Sequence, residues 1–491
     1  MQTDFEFFIN GDIHRSEGAS VNCSLREYLM RSGKGRLSRD VCPVLLGVLD
    51  ARQKPALRIV HSCRIALPML AEREIWTVDA IGSQGEPIDS LQQALSINQQ
   101  ISCQCGNATE SMFFSENSAN SIKSDYGCQH PNLTGWLSFP TAFNVLLQEQ
   151  KDLDEGADHQ IDSPISESGL ERSFSYVDAS GSLFFRPTSL REALRLLQSY
   201  PAARILAGDT VYPAAADVID SQTAPVVVSI DSIVQLGQVS LNEGRWHVGG
   251  AVSLRAFTDA MSSRFPLIER MTKAMGSLPL KNRSTISSGL MDELRNPELL
   301  TVLLALDAQV IISSLSGERR LMLKEAFQGV LSSALKQGEI VSGVLLESPM
   351  DREEQSSGHH LTGFYQIVRR HSTDRAMFCA AFSVMVDENE RVVRARLCYG
   401  GIGERVKRAY KAEELLKGGL WGGKLASKVT RCLNAEFSGR LVGGDAVYRS
   451  AMAGSLWRKF FAENQTPGEL FRFPQGLDNG VPNDSKPNGN C

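Results

Sequence analysis

The chain has 491 residues, of which 42% are hydrophobic and 22% are charged, so it is long enough to form about two to four separately packed domains. Its net charge of −5 gives no sign of the strongly basic character by which many proteins bind nucleic acid or acidic lipid. Ten cysteines, in a chain whose opening residues lack the pattern of a signal peptide, favour reduced thiols or metal ligands over a disulfide scaffold. No apolar run reaches the roughly 18 residues of a membrane span, so we expect a cytoplasmic protein without a membrane segment.

The first segment extends from Met1 to about residue 150 and contains six of the ten cysteines. It opens with a predicted strand over residues 5–10 and continues with a helical pattern over residues 25–30. Residues 151–182 are rich in Asp, Glu, Ser and Gly and have little periodicity, which is typical of a solvated linker.

The third segment, from about residue 183 to 346, has the alternation of an α/β domain. Ser189 and Glu192 fit a capping box, after which apolar residues recur with the spacing of one helix face. Short apolar runs then predict buried strands over 203–208, 225–230, 246–251 and 308–312. The fourth segment, from about residue 363 to 462, alternates strands with a helix over residues 408–416.

Several short signatures follow one another in a defined order. They are FFING at 7–11, FFRPTSLREALRLLQSYPAARILAGDT at 184–210, LLALDA at 303–308, FCAAFSV at 378–384 and LCYGGIGERVKRAYKAEELLKG at 397–418. In this order the chain resembles the iron–sulfur/FAD-binding small subunit of xanthine dehydrogenase, a member of the molybdenum hydroxylase family. The resemblance covers roughly residues 5 to 425.

The resemblance implies an α+β multidomain protein. Its parts would be a ferredoxin-like β-grasp domain, a small helical domain, an α/β flavin-binding domain of the PCMH type and an α+β C-terminal domain of the CO dehydrogenase flavoprotein type. The corresponding ranges are 1–82, 83–150, 183–350 and 363–462, with the linker at 151–182. Residues 464–491 are rich in Pro, Gly, Asn and Asp and predict a disordered tail.

The cysteine positions do not complete the family's two [2Fe–2S] sites. Such a cluster needs four soft ligands, normally thiolates. Cys42 and Cys63 fall at the third and fourth positions of the first site, but Lys34 and Arg39 occupy the first two, and neither replaces a thiolate. The alternative reading is that the two cysteines are small buried apolar residues.

The second cluster site is also incomplete. Cys105 begins it, but Ala108 stands at the next ligand position, and Cys128 is followed by His130 where a cysteine is expected. A metal held by Cys103, Cys105, Cys128 and His130 and a remnant of a lost site both remain open. We expect that the [2Fe–2S] clusters have been lost.

The resemblance places FAD against two loops whose glycines let the backbone approach the diphosphate and donate N–H groups to it. The residues that fall on these loops, with one acidic position that follows, are Ile205, Leu206, Ala207, Gly208, Asp209, Thr210, Val211, Tyr212, Thr285, Ile286, Ser287, Ser288, Gly289 and Glu298. Asp209 brings a carboxylate where a diphosphate is expected, and two serines replace the second loop's glycines, although their hydroxyls can still donate to phosphate. Ordinary turns inherited from a flavin binder are the alternative.

Two functional hypotheses follow. In the first, the chain is an FAD-binding, electron-transferring small subunit of a xanthine dehydrogenase-like oxidoreductase. Its partner would be a molybdopterin-binding large subunit or a related small subunit. In the second, it is a cofactor-depleted, non-catalytic paralogue that acts as a scaffold or regulatory partner. No residue is predicted to act as a catalytic acid, base or nucleophile.

Overall fold

A computed structural model describes residues 1–32, 43–49, 55–76, 172–208, 225–275, 278–291, 297–326, 335–347, 358–368, 376–403, 405–437 and 446–465. The described part is α+β, and its strands form four sheets. The predicted helical domain at 83–150 and the predicted tail at 464–491 lie outside these ranges, apart from the tail's first two residues.

The N-terminal unit is a five-stranded sheet with one helix. Its elements are β1 (Glu6–Ile9), β2 (Asp12–Arg15), α1 (Leu25–Arg31), β3 (Pro43–Leu49), β4 (Pro55–His61) and β5 (Glu74–Trp76). The strand order is β2-β1-β5-β3-β4, with β1 and β5 parallel and the other neighbours antiparallel. Alternation along β1 puts Phe7 and Ile9 into the core. Ser24 and Glu27 close a capping box at the start of α1.

The N-terminal unit shares its core with the next part of the chain. Phe174, Tyr176 and Phe184 pack with the buried residues of the N-terminal sheet in one apolar cluster. The Tyr176 hydroxyl donates to the carbonyl oxygen of Ala19 at 2.6 Å. Because apolar contacts and hydrogen bonds both cross this boundary, the two units form a continuous packed structure.

The following unit begins with a four-stranded sheet. Its elements are β6 (Phe174–Val177), β7 (Leu183–Arg186), α2 (Leu190–Ser199), β8 (Arg204–Leu206) and β9 (Val226–Ser229). The order is β6-β7-β9-β8, and β7, β9 and β8 are parallel. Their carboxyl ends therefore lie along the same edge. In α/β sheets this is the edge at which ligands bind.

A second, antiparallel sheet of five strands is flanked by helices. The elements are β10 (Val239–Asn242), β11 (Arg245–Gly249), α3 (Leu254–Met261), α4 (Pro266–Ala274), α5 (Leu278–Arg283), α6 (Ile286–Met291), α7 (Pro297–Ala305), β12 (Gln309–Ser314), β13 (Gly317–Met322), α8 (Leu323–Ala326) and β14 (Ile340–Glu347). The strand order is β10-β11-β14-β12-β13. Every residue of α7 is buried, which agrees with its apolar composition on all sides.

The C-terminal unit is a four-stranded antiparallel sheet covered by helices. Its elements are β15 (Gly358–Ile367), β16 (Phe378–Asp387), β17 (Val392–Gly400), β18 (Lys407–Arg408), α9 (Tyr410–Leu416), α10 (Gly423–Phe437) and α11 (Ala446–Glu463). The buried rings of Phe382, Trp457 and Phe460 pack together at its centre.

A buried ionic network joins the C-terminal unit to the preceding one. The Arg408 guanidinium pairs with Asp307 at 3.1 Å and with Glu413, while Arg396 reaches the other oxygen of Asp307 at 2.6 Å. Burial opposes the charge of Arg408, but its hydrogen bonds to Glu413 raise its pKa above the ordinary value for arginine.

The strands predicted at 203–208, 225–230, 246–251 and 308–312 are confirmed within one or two residues at their ends. The structure differs from the predicted linker, however, because β6 lies within residues 151–182. Phe174 and Tyr176 are buried and alternate along this strand with the half-buried Ser175 and Val177. A run of four residues was too short to separate from its Ser-rich surroundings.

The predicted capping box at α2 is formed only in part. The Ser189 hydroxyl accepts from the Glu192 N–H at 3.3 Å, as expected. The Glu192 carboxylate accepts instead from the Thr188 N–H and from the Ser173 hydroxyl. Tertiary contact with the residues before β6 has therefore redirected one half of the motif.

The Ser189 cap leads to a first prediction. Ser189→Ala should lower the free energy of unfolding by about 1 kcal/mol, because the N–H of Glu192 loses its acceptor. Urea unfolding of the purified protein measures this change. Arg191→Ala, an exposed position in the same helix, is the control and should change stability by less than about 0.5 kcal/mol. Equal stability of the two variants would contradict the prediction.

Across the described ranges, no helix is both long enough and apolar enough to span a bilayer.

Candidate functional site

The first predicted flavin loop begins where β8 ends. Leu206 and Ala207 are buried, whereas the side chain of Ile205 is half-exposed. Gly208 has a φ of +66°, in the left-handed region that favours glycine. Asp209, Thr210, Val211 and Tyr212, the rest of the predicted loop, lie outside the described residues.

The second predicted loop lies directly against the first. The Thr285 hydroxyl donates to the carbonyl oxygen of Ala207 at 3.1 Å. A methyl group at Gly208 would collide with the carbonyl oxygen of Arg283 and with the Thr285 side chain. The structure therefore brings residues 207–208 and 283–285 together, although 75 residues separate them in the chain.

The second loop continues as helix α6 rather than as an open turn. Thr285 and Ser288 cap this helix reciprocally, since each backbone N–H donates to the other's hydroxyl, at 3.0 and 3.3 Å. The N–H groups of Ile286 and Ser287 donate to the carbonyl oxygens of Val252 and Gly250. In the described geometry the protein itself accepts all four of these N–H groups, and their donation to a diphosphate stays a prediction.

Two serine hydroxyls of this region have no hydrogen-bond partner among the described residues. They belong to Ser284 and Ser287, and both side chains are buried. A buried hydroxyl left without a partner costs about 1–3 kcal/mol. Such hydroxyls can donate hydrogen bonds to the oxygen atoms of a phosphate. The residues present therefore fit an anionic ligand that is held by side-chain donors.

Glu298, the acidic position after the second loop, is buried at the start of α7. Its carboxylate accepts from the backbone N–H of Ala376 at 2.9 Å, and Ala376 lies two residues before β16 of the C-terminal unit. Helix α7, which begins beside Glu298, is in contact with helix α6 of the second loop. The hydrogen bond between Ala376 and Glu298 therefore joins the flavin-binding unit to the C-terminal unit.

Sequence reasoning missed a buried charge cluster beside the loops. It consists of Arg73 from the N-terminal unit, Arg186 at the end of β7, Asp231 just after β9, and Arg283 at the end of α5. The side chain of Arg73 is 6% exposed and pairs with Asp231 at 2.8 Å. Arg186 belongs to the quoted signature at 184–210, but nothing in the linear sequence joins it to Arg73.

The cluster contains three arginines and the single carboxylate of Asp231, so its net charge is positive. Burial by itself would raise the pKa of Asp231, but the charges of Arg73 and Arg283 hold it at about 2. Burial and the like charge of Arg73 together lower the pKa of Arg186 to about 10. The cluster lies at the carboxyl edge of the parallel strands, where the first loop also begins.

Of the predicted metal ligands, only Cys63 lies within the described residues, where it is half-buried. Cys42, Cys105 and Cys128 lie outside them, as do Lys34 and Arg39. In the described ranges, no three His, Cys, Asp or Glu side chains come together as a metal site.

Comparison with known proteins relates the two larger units of the chain to known domain families. Residues 174–347 match the FAD binding domain in molybdopterin dehydrogenase, and residues 363–464 match the CO dehydrogenase flavoprotein C-terminal domain. Residues 174–347 and 363–464 are therefore similar to the two domains that these family models describe.

Individual relatives cover the same region. The chain is 28% identical over 294 residues to the glyceraldehyde dehydrogenase medium chain of Sulfolobus acidocaldarius, covering 57% of this chain and 97% of the relative. It is 27% identical over 247 residues to the nicotinate dehydrogenase FAD-subunit of Eubacterium barkeri, covering 48% and 79%. Chicken xanthine dehydrogenase/oxidase is 23% identical over 57% of this chain, which corresponds to 21% of that much longer protein.

A solved carbon monoxide dehydrogenase from Hydrogenophaga pseudoflava has the same fold over this region. The TM-score is 0.50 at 19% identity, covering 56% of this chain and 94% of that chain. The separate-chain relatives are named a medium chain and an FAD-subunit, so "small subunit" does not describe the matched part of this chain.

Proposed function

We propose that this chain is the FAD-binding, electron-transferring subunit of a molybdenum hydroxylase-type dehydrogenase. The observation that carries the proposal is the contact of residues 207–208 with residues 283–285, inside the region that matches the FAD binding domain. In this chain the two loops are in contact, and serines stand at positions 287 and 288 of the second loop.

The chain's own residues have a positioning role in this proposal. FAD, when bound, supplies the electron-carrying isoalloxazine ring. The contact of Gly208 with Arg283 and Thr285 fixes the distance between the loops, and the hydroxyls of Ser284 and Ser287 supply donors where the backbone N–H groups are already used. We retain the predicted binding set at 205–212, 285–289 and 298.

The N-terminal unit is proposed to be a ferredoxin-like β-grasp domain over residues 1–82 that no longer holds a cluster. Support comes from its parallel central pair β1 and β5, its two flanking antiparallel pairs and its packed helix α1. Lys34 and Arg39 stand at two ligand positions of the resembled cluster. Residues 83–150 would be the degenerate second-cluster domain, and 183–350 and 363–462 the flavin-binding and C-terminal domains.

A partner subunit follows from the same proposal. Relatives are named as subunits, among them the nicotinate dehydrogenase FAD-subunit and an alpha subunit of the 6-hydroxypseudooxynicotine dehydrogenase complex. We propose that a molybdopterin-binding subunit supplies the electrons and that the assembly is cytoplasmic. The alternative of a cofactor-depleted scaffold is not favoured, because the matched relatives are themselves dehydrogenase components.

Flavin content tests the proposal. The purified full-length protein should show the visible absorbance of a flavin and should release FAD on acid treatment, at close to one FAD per chain. Iron analysis of the same sample should give less than one iron atom per chain, since two thiolates do not hold a [2Fe–2S] cluster. A colourless protein that also fails to bind added FAD would overturn the proposed function.

A further inference from the structure

We propose that Arg73, inserted from the N-terminal unit, completes an anion subsite at the carboxyl edge of the parallel strands and that this subsite binds the diphosphate of FAD. The inference rests on the proposed function and extends it. It gives the N-terminal unit a role in flavin retention that does not require an iron–sulfur cluster.

Position is the first argument. Arg186 ends β7, Asp231 follows β9, and Gly208 follows β8, so all three lie at one edge of a parallel sheet. The carboxyl edge of parallel strands is where nucleotide ligands bind in α/β sheets. Arg283 reaches the same place, because its carbonyl oxygen lies against Gly208.

The way Arg73 is held is the second argument. Its side chain is buried, with one terminal nitrogen 2.8 Å from Asp231 and 3.4 Å from the Ser232 hydroxyl. Its Nε has no hydrogen-bond partner among the described residues, so a buried, charged donor remains to be satisfied. Guanidinium groups bind phosphate oxygens through paired N–H donors, which makes a diphosphate a suitable acceptor.

Electrostatics is the third argument. Arg73, Arg186 and Arg283 all act on the single carboxylate of Asp231, and Arg73 repels Arg186. Like charges in a buried site are costly, and a bound anion relieves that cost. The backbone N–H groups of residues 285–288 are used within the protein, so among the described residues the side-chain cations and the hydroxyls of Ser284 and Ser287 are the donors that can recognise an anion here.

Contacts between the N-terminal unit and the flavin-binding unit hold Arg73 at this edge. Arg186 donates to the carbonyl oxygens of Met69 and Ala71, at 3.2 and 2.8 Å, just before Arg73 in the chain. Leu206, two residues before Gly208, packs in the apolar cluster of the N-terminal unit. Helix α5, which ends at Arg283, lies against strand β4.

The test measures FAD binding and pyrophosphate binding by the full-length protein. Arg73→Met should weaken FAD binding by roughly 10- to 100-fold, the effect of losing a hydrogen bond to a charged group, while Arg73→Lys should retain part of the affinity. Tyr176→Phe removes a hydrogen bond between the same two units away from the cluster and should bind FAD as the wild type does. Inorganic pyrophosphate should raise the Tm of the flavin-free wild type but not that of Arg73→Met.

The outcomes separate this inference from the proposed function. If Arg73→Met is folded by circular dichroism and binds FAD as tightly as the wild type, the subsite is overturned while the flavin function stands. If the wild type binds no FAD, the proposed function fails, and pyrophosphate then decides the subsite alone. A rise in Tm that depends on Arg73 supports an anion site, and an equal or absent rise in both proteins overturns it. Should Arg73→Met fail to fold, Arg73→Lys and Arg73→Gln provide the same comparison.

Discussion

Gly208→Ala is expected to lower the free energy of unfolding by about 2–5 kcal/mol and to reduce the flavin content of the purified protein. Two effects add. The φ of +66° costs an alanine about 1–2 kcal/mol, and the new methyl group collides with the Arg283 carbonyl oxygen and the Thr285 side chain. Relief of the collision must move residues 283–285 away from residue 208. Urea unfolding and the ratio of flavin to protein absorbance measure the two consequences.

The matched control is Gly181→Ala. Gly181 has a φ of +83°, but a methyl group there meets no atom within 4 Å. It should therefore show only the backbone cost of about 1–2 kcal/mol and keep the wild-type flavin content. If both variants unfold at the same urea concentration and hold equal flavin, contact between the two loops does not determine the site.

Arg408→Met should destabilise the protein by about 3–5 kcal/mol, because it leaves the buried carboxylate of Glu413 without its charged partner and removes one of the guanidinium groups that pair with Asp307. Arg408 and Glu413 have side chains only 4% and 9% exposed, and Asp307 is contributed by the neighbouring unit. Loss of Arg408 therefore weakens both the C-terminal unit and its attachment. The measurement is the urea midpoint of the purified protein.

Two further variants show whether burial is responsible. Arg15→Met removes an ion pair to Glu6 in which the side chains are 67% and 50% exposed, and it should cost less than about 1 kcal/mol. Arg408→Met combined with Glu413→Leu should recover part of the stability lost in the single variant, since one stranded carboxylate is removed. A double variant no more stable than Arg408→Met would contradict this explanation.

Local patterns predicted much of the flavin-binding unit. The strands at 203–208 and 225–230 and the helix after Ser189 are set by apolar periodicity and by a nearby cap, both of which act over a few residues. The same reasoning failed for β6, whose four residues carry too little periodic signal. It failed again for half of the α2 cap, because Glu192 is drawn to Ser173 by a contact 19 residues away.

The second loop shows why residue identities did not predict the hydrogen bonds of this site. Serine hydroxyls at 287 and 288 look equivalent in the sequence. In the structure Ser288 is used to cap α6, whereas Ser287 is buried without a partner among the described residues. Helix geometry decides which hydroxyl faces the chain's own N–H groups, and a linear pattern does not contain that direction.

By itself, the sequence determined the family resemblance, the order of the units and the predicted positions of the two loops. It also determined that Lys34 and Arg39 stand where the resembled cluster has cysteines. All of these depend on residue identity and short-range spacing. Only the tertiary structure decided that the loops touch at Gly208, that their backbone donors are already used, and that Arg73 joins Arg186, Asp231 and Arg283. Apart from the local cap formed by Thr285 and Ser288, those features depend on contacts between residues that are between 34 and 210 positions apart. Packing of the N-terminal unit onto the parallel sheet, through its shared apolar core, creates them.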